Sequence, residues 1–582
     1  MIGQQASDPT AADTVLVLDD DPRFAPGIAE SLELAAGATV RRAGTTSLLL
    51  RGAGGHQVRV FLDDVPLDDG RGLAIDLDRL PASALEAIRV RRGAAGALHG
   101  SGAQGGVIEL RTHRRPVRRL RLRLGAFGDR RVDATLGAQA GPANLLAAFG
   151  AHTADGDFSY VDTNGQPRVR GNNRRTGLDG LARLRAPLGA RGGLTALVAV
   201  GTGARGEPGL EQFEQADARS VADQSLVGVG FTTDAPAGLP LDVAAQAWAL
   251  RRRFAFSDPR PAFAGAAQRF TLDDTARGAR LVVEPRVGVT VQPALAMELR
   301  HEGASTRTVG GDRDGRRDEA RVGVAATATA AWRPAEGLTA QAALRVDDTD
   351  GRAALLVPAA GLEWRPWPAL ALRGNVGRLF RDPGFDELYF EASGLRGNPD
   401  LRPEDGVGGD LGAAFFFEDG YLSLTAFHQR YDRLILFVPV NAWLIQATDD
   451  ARAAADGLEL EVVGQVGPIE GRGAALLQRT RLDDAAPLPF RPAVAGALQL
   501  GLPVGPGSVF ATYRAQTRVT TDGFGYRTLP ARHLLDVGVS VQAGPWRAGL
   551  EVSNCLDDQR LQDAIQQPLP GRAWRLGLAF AP

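Results

Sequence analysis

The 582-residue sequence predicts a large antiparallel transmembrane β-barrel of about 22 strands, preceded by a small N-terminal α+β domain that fills its lumen. Three observations predict it. Beyond residue 115 apolar and polar residues alternate over runs of about ten, longer than the five or six usual in soluble sandwiches. No apolar run reaches the roughly 18 residues of a spanning helix, a length barrel strands do not need. The stretch 115–582 also gives 22 strands roughly 21 residues each with their connections, and a barrel that wide leaks unless something occupies it.

In chain order, residues 1–12 are polar and read as disordered. The start MIGQQASDPTAADTV has neither the basic nor the apolar region of a signal peptide, so for an exported chain it reads as a mature or misassigned start. Asp13-Thr14-Val15-Leu16-Val17-Leu18 is a short β-prone run ahead of three aspartates. A helix is expected over 28–34 and a strand over 38–42. The densest signal is 81–112, PASALEAIRVRRGAAGALHGSGAQGGVIELRT, which reads as a compact βαβ-like unit with glycine-crowded turns.

His113-Arg114-Arg115-Pro116 reads as a hinge, and strict alternation follows it. Leu120, Leu122 and Leu124 stand against Arg119, Arg121 and Arg123, and Val132, Ala134 and Leu136 against Arg131, Asp133 and Thr135. Near the end Val509, Ala511 and Tyr513, then Leu535, Val537, Val539 and Val541, then Trp574, Leu576, Leu578 and Phe580 repeat the pattern. One face of each run meets an apolar medium and the other meets water. The polar stretch 155–179 reads as a solvated loop without the spacing of a calcium-binding hand.

Several function classes drop out. The glycines of 81–112 do not form GxGxxG, and with no lysine in the chain there is no phosphate-binding GxxxxGK[ST] loop. Seven histidines without HExxH, and no GxSxG, give no catalytic constellation, so no enzyme and no cofactor is expected. The formal net charge of −2 offers no field for nucleic acid, and a single cysteine forbids an internal disulfide or a cysteine metal cluster.

The segment 81–112 resembles the one that ends the plug of TonB-dependent outer-membrane receptors. Leu50-Arg51-Gly52 resembles their IRG element, and Val60-Phe61-Leu62-Asp63-Asp64-Val65-Pro66-Leu67 resembles a plug strand and turn, with Asp64 where glycine is usual. Further on, Phe380-Arg381-Asp382-Pro383, Glu387-Leu388-Tyr389, the stretch 397–404 and Gly457-Leu458-Glu459-Leu460 resemble barrel motifs of the family. The closing segments from Asn554 and Pro568 do so too, and the general plan is nearest the cobalamin and siderophore receptors.

The resemblance implies three parts: a disordered segment 1–20, a plug over 21–112 and a barrel over 115–582. It implies import of a scarce small molecule or metal chelate, without bound metal of the protein's own, by a monomer in the outer membrane of a Gram-negative bacterium. The alternative is a passive plugged porin or adhesin. Its partners would be outer-membrane lipid, the ligand and TonB, but no nucleic acid. Asp13, Thr14, Val15, Leu16 and Val17 resemble the TonB box, which adds as an extended strand to TonB and is expected to be mobile without it; the bland reading of the run is the plug's first strand. The resemblance also implies a plug–barrel lock of Arg51 and Arg92 with Glu404 and Glu459, each arginine within about 4 Å of a glutamate carboxylate.

Overall fold

The alternation beyond residue 115 becomes 22 antiparallel strands closed into one barrel. Its first strand, Arg118–Gly125, pairs with its last, Ala573–Phe580, with Leu122 opposite Leu578. The computed structural model describes residues 12–18, 21, 23, 26–43, 45–72, 76–261, 267–288, 290–309, 315–350, 354–392, 395–441, 444–483, 486–522 and 526–582. Leu120, Leu122, Leu124, Trp574, Leu576 and Leu578 all point outward and are exposed, as a lipid-facing stripe requires. Phe580 packs on Trp546, ring centroids 4.7 Å apart. Connections are short at one end and long at the other, which sets the periplasmic and outer ends. The expected loop 155–179 is shorter: it holds a hairpin of Phe158–Val161 with Pro167–Arg170, and a barrel strand already begins at Arg175.

The N-terminal domain lies in the lumen. Its strands are β1 (Ala12–Val17), β2 (Ala38–Ala43), β3 (Thr45–Leu50), β4 (Val58–Leu62), β5 (Val65–Pro66), β6 (Leu85–Arg92) and β7 (Gly106–Thr112). Five of them form one sheet in the order β1-β6-β7-β4-β5, and β2 and β3 form a separate hairpin. Helix α1, Ile28–Leu32, is shorter than expected because Leu34 and Ala35 bond back three residues to Ser31 and Leu32, tightening its end.

Two expectations need correction. The stretch 81–112 is not a βαβ crossover: β6 and β7 pair antiparallel, because the helix between them, α2 (Gly96–His99), is one turn and cannot span a parallel return. The disordered lead of 1–20 fails for residues 12–17, which form β1 along β6, with Thr14 and Leu16 buried. Alternation explains this, since Thr14 and Leu16 face the domain while Val15 and Val17 stay exposed. Residues 1–11 and 19–20 of that lead lie outside the described residues.

Asp64 stands where the sequence pattern prefers glycine. Asp63 and Asp64 are both left-handed, φ 46° and 73°, as the tight turn from β4 to β5 demands. Aspartate tolerates that region, and the Asp63 carboxylate accepts from the Thr112 N–H at 3.0 Å and from the Thr112 hydroxyl.

Candidate functional site

The domain meets the barrel through a set of buried charges. Arg51 follows β3 in the left-handed region, φ 49°, a conformation costly for a residue with a side chain. That turn aims its guanidinium across to the wall. Nε and Nη2 grip Glu459 at 2.9 and 2.8 Å, and Nη1 donates to Asp410 at 2.9 Å. The three side chains are 1, 2 and 0 % exposed. Burial opposes the charge on Arg51, but Glu459 and Asp410 outweigh it and raise its pKa above the ordinary value.

Arg92, at the end of β6, joins the same cluster. Its Nε is 3.4 Å from Glu459 and its Nη2 3.5 Å from Glu461, while Nη1 donates to the Thr14 hydroxyl at 2.6 Å and to the Ala36 carbonyl at 3.0 Å. The Thr14 hydroxyl in turn donates to Glu461 at 2.5 Å, and Tyr421 donates to the other Glu461 oxygen at 2.8 Å. Two glycines make the approach possible. A Cβ on Gly37 would stand 2.0 Å from a Glu459 oxygen, and one on Gly93 would stand 2.9 Å from an Asp410 oxygen.

Glu404 departs from expectation. Its cation is Arg381 of the barrel itself, at 2.9 and 3.0 Å, and among the described residues no plug arginine reaches it. The plug touches it through Gln57, whose Nε2 donates at 2.9 Å. Sequence reasoning missed Asp410 and Glu461, though strand parity points to both. Asp410 shares the lumen face with Glu404 on the strand Glu404–Phe417, and Glu461 is two residues from Glu459 on Leu444–Val466.

A second contact lies at the outer end. The segment leading into the loop 382–403 meets three plug turns. Asp382 N–H donates to the Ser101 hydroxyl at 2.9 Å, Gly102 N–H donates to the Phe380 carbonyl at 3.2 Å, and Phe385 N–H to the Gly70 carbonyl at 2.9 Å. Arg71 then bridges Asp274 of the wall and Asp386 of the loop helix α3 (Phe385–Tyr389), both at 2.6 Å. These partners carried no sequence signal, because their contact joins segments hundreds of residues apart.

The residues expected to form a TonB box, Asp13 to Val17, take a definite place. β1 is an edge strand of the plug sheet, so one of its sides pairs with β6 and the other carries no strand. On that open side Arg472 of the barrel donates to the Val15 carbonyl at 3.1 Å. Asp13 pairs with Arg89. Among the described residues no group of three or more His, Cys, Asp or Glu side chains is placed to hold a metal ion.

Comparison with known proteins places this architecture. Residues 143–555 match the family model "TonB dependent receptor-like, beta-barrel", and residues 9–107 match "TonB-dependent Receptor Plug Domain". The chain is 27% identical over 141 residues to the vitamin B12 transporter BtuB of Vibrio vulnificus, a stretch covering 24% of this chain and 22% of that one. The structure of the copper transporter OprC superposes with a TM-score of 0.83 at 16% identity, covering 98% of this chain and 99% of the other. The siderophore receptor PirA of Acinetobacter baumannii does so at 0.79 and 15% identity, covering 98% of each. At such identities the two structures speak for the fold alone. With its barrel matched over most of its length and its plug seated in the lumen, the chain belongs to the TonB-dependent receptors of the Gram-negative outer membrane, a family of transporters and not of enzymes.

Proposed function

We propose that this receptor imports a scarce organic ligand, cobalamin, a ferric siderophore or a similar chelate, by TonB-driven opening of the plug. The observation that carries the reading is the buried cluster of Arg51 and Arg92 with Asp410, Glu459 and Glu461. A permanent stopper has no use for it, since apolar packing alone would hold. Buried ion pairs are strong while dry and exchange partners with water once it enters, so they suit a plug that must be tight at rest and releasable under pull. In this reading Arg51, Arg92 and Glu459 form the lock, and Glu404 braces it through Gln57.

Asp13, Thr14, Val15, Leu16 and Val17 would be the segment TonB takes, adding a strand along the open side of β1 and displacing Arg472 from Val15. Pulling β1 also removes the Thr14 hydroxyl from between Arg92 and Glu461, so the pull acts directly on the lock.

Two features favour an organic ligand over a bare ion. Phe254, Phe256 and Phe270 face the lumen toward the outer end, with centroids 5.8 and 5.2 Å apart. Soft metal donors are scattered: Met297 is 65% exposed on the outer wall, and the Cys555 thiol donates to the Val552 carbonyl. The copper carried by the similar OprC therefore has no soft-donor site among the described residues.

The test is uptake of labelled cyanocobalamin and a ferric catecholate siderophore by cells with and without TonB, using the native receptor and Val15→Pro. Uptake that needs TonB and falls to background in the variant, at normal folded levels, supports import. Solute passage indifferent to TonB supports the alternative, a passive plugged porin or adhesin.

A further inference from the structure

Strand β6 carries a second arginine, Arg91, that the buried charge cluster does not use. Neighbours on a strand point apart, so while Arg92 turns to Glu459 and Glu461, Arg91 turns to the other face of its sheet. There the plug segment 91–99 and the barrel strands Leu338–Thr349, Leu355–Trp367 and Leu370–Arg381 enclose a cavity of about 530 Å³, its mouth included. Gly93, Ala94, Ala95, Ala343 and Ala359 keep it open, because none of them has a side chain beyond Cβ. Its polar lining is Arg91, Arg92, His99, Gln341 and Asn375, and among the described residues no carboxylate lines it.

Several polar groups of that lining lack a protein partner. Arg91 is 4 % exposed, and among the described residues its Nη1 has no hydrogen-bond partner. Its Nε lies 3.2 Å from Glu109, but Arg111 also holds that carboxylate, at 2.7 Å. His99, the last residue of α2 and equally buried, leaves Nδ1 unpartnered, as the Gln341 amide leaves its oxygen. The four charges that act most strongly on His99 are all positive: Arg91, Arg280, Arg59 and Arg345. Asp68 holds Arg59 at 2.8 Å and Asp347 holds Arg345 at 2.7 Å. Arg280, on the strand Gln268–Pro285, makes no hydrogen bond or ion pair among the described residues. Positive charge thus gathers round His99 with Arg91 and Arg280 incompletely neutralised.

We propose that a small inorganic anion of halide size binds in this cavity, held by Arg91, His99 and Gln341, and fastens the plug to the wall there. A neutral imidazole can carry its proton on Nδ1, and the Gln341 amide can turn its NH₂ inward, so all three present N–H groups to one guest. Buried N–H groups without acceptors are costly, and a guanidinium bonds an anion more strongly than it bonds water. No Phe, Tyr or Trp lines the cavity among the described residues, so nothing there suits the flat rings of an organic ligand. The anion is a resident of the seam and not the cargo. It adds a third fastening beside the charge cluster and the outer contact.

The experiment grows crystals of the purified receptor in sodium bromide and maps the bromide by its anomalous scattering. A peak between Arg91, His99 and Gln341 is expected; water alone in the cavity, or bromide only on surface arginines, overturns the proposal. The second readout is hydrogen exchange of the 91–99 peptides in solution, with bromide replaced by gluconate at constant ionic strength. Bromide at about ten times its dissociation constant should slow that exchange roughly tenfold. Arg91→Met should weaken bromide about tenfold and Gln341→Leu about threefold. Arg41→Met, at a plug arginine that does not line the cavity, should leave binding intact. Glu109 keeps Arg111 in Arg91→Met. If that variant still fails to fold, judged by heat-modifiable migration, Gln341→Leu decides alone, because it removes no charge. Exchange indifferent to bromide, undiminished binding in the cavity variants, or an equal loss in Arg41→Met overturns the proposal.

Discussion

The plug meets its barrel in two different ways on opposite sides. Toward the strands between residues 143 and 258 it is greased: Leu62, Ile88, Val90 and Leu110 share one apolar core with Leu146, Leu181, Leu197, Leu226 and Leu250 of the wall. The covalent hinge lies on that side as well, where Arg183 donates to the Thr112 hydroxyl and the His113 carbonyl. Toward the strands between 404 and 466 the contact is Arg51 and Arg92 against Asp410, Glu459 and Glu461. Apolar contact is non-directional and survives small slides, whereas charge pairs hold only in one geometry and fail at once when water enters. The difference teaches where a pulled plug would part first: at the charged wall, turning about the apolar side.

The strongest way to break this comparison is to unpair the charged wall. Glu459→Ala leaves Arg51 and Arg92 with fewer buried partners and is expected to cost about 3–5 kcal/mol. Planar-bilayer recordings should then show leak currents absent from the native protein. The exchange of Arg51→Glu with Glu459→Arg should recover part of that loss, as coupled neighbours do. No leak in either single variant would mean the apolar side alone seats the plug.

Gly37→Ala sharpens the same point sterically. Its Cβ would fall 2.0 Å from Glu459, and its φ of 72° already disfavours a side chain, so a leak nearly as large is expected. Next in size comes the outer contact. Asp386→Ala removes one of the two carboxylates on Arg71, with an expected cost of roughly 1–3 kcal/mol. Hydrogen exchange should rise in α3 and the neighbouring loop and stay unchanged at Arg51 and Arg92; a rise at those arginines instead would show that the two contacts act as one.

The smallest effect expected is on pH. Burial first, and then the charge of Arg381, push His56 down to about 3, and burial with Arg91 holds His99 well below its usual value. Both are neutral in the folded plug, while the unfolded chain protonates near 6.5. Their contribution is therefore full above about pH 6.5 and is lost as pH falls toward 3. Plug unfolding followed from pH 7 to 4 should show this slope, and His56→Gln with His99→Gln should flatten it.

Period-two alternation determined the barrel by itself, because a strand between lipid and water permits one side-chain pattern. The resemblance of their motifs to the family's had singled out Arg51, Arg92 and Glu459, and these three side chains do meet in one cluster. The sequence did not determine the partner of Glu404, which is Arg381 on the next spanning strand: that pairing depends on strand register, and register is a property of the closed barrel. Whether 13–17 is strand or free peptide was likewise open in the chain, because a β-prone run fits either. Only the tertiary structure decided it, by offering β6 as a ladder and Glu461 as the partner for Thr14.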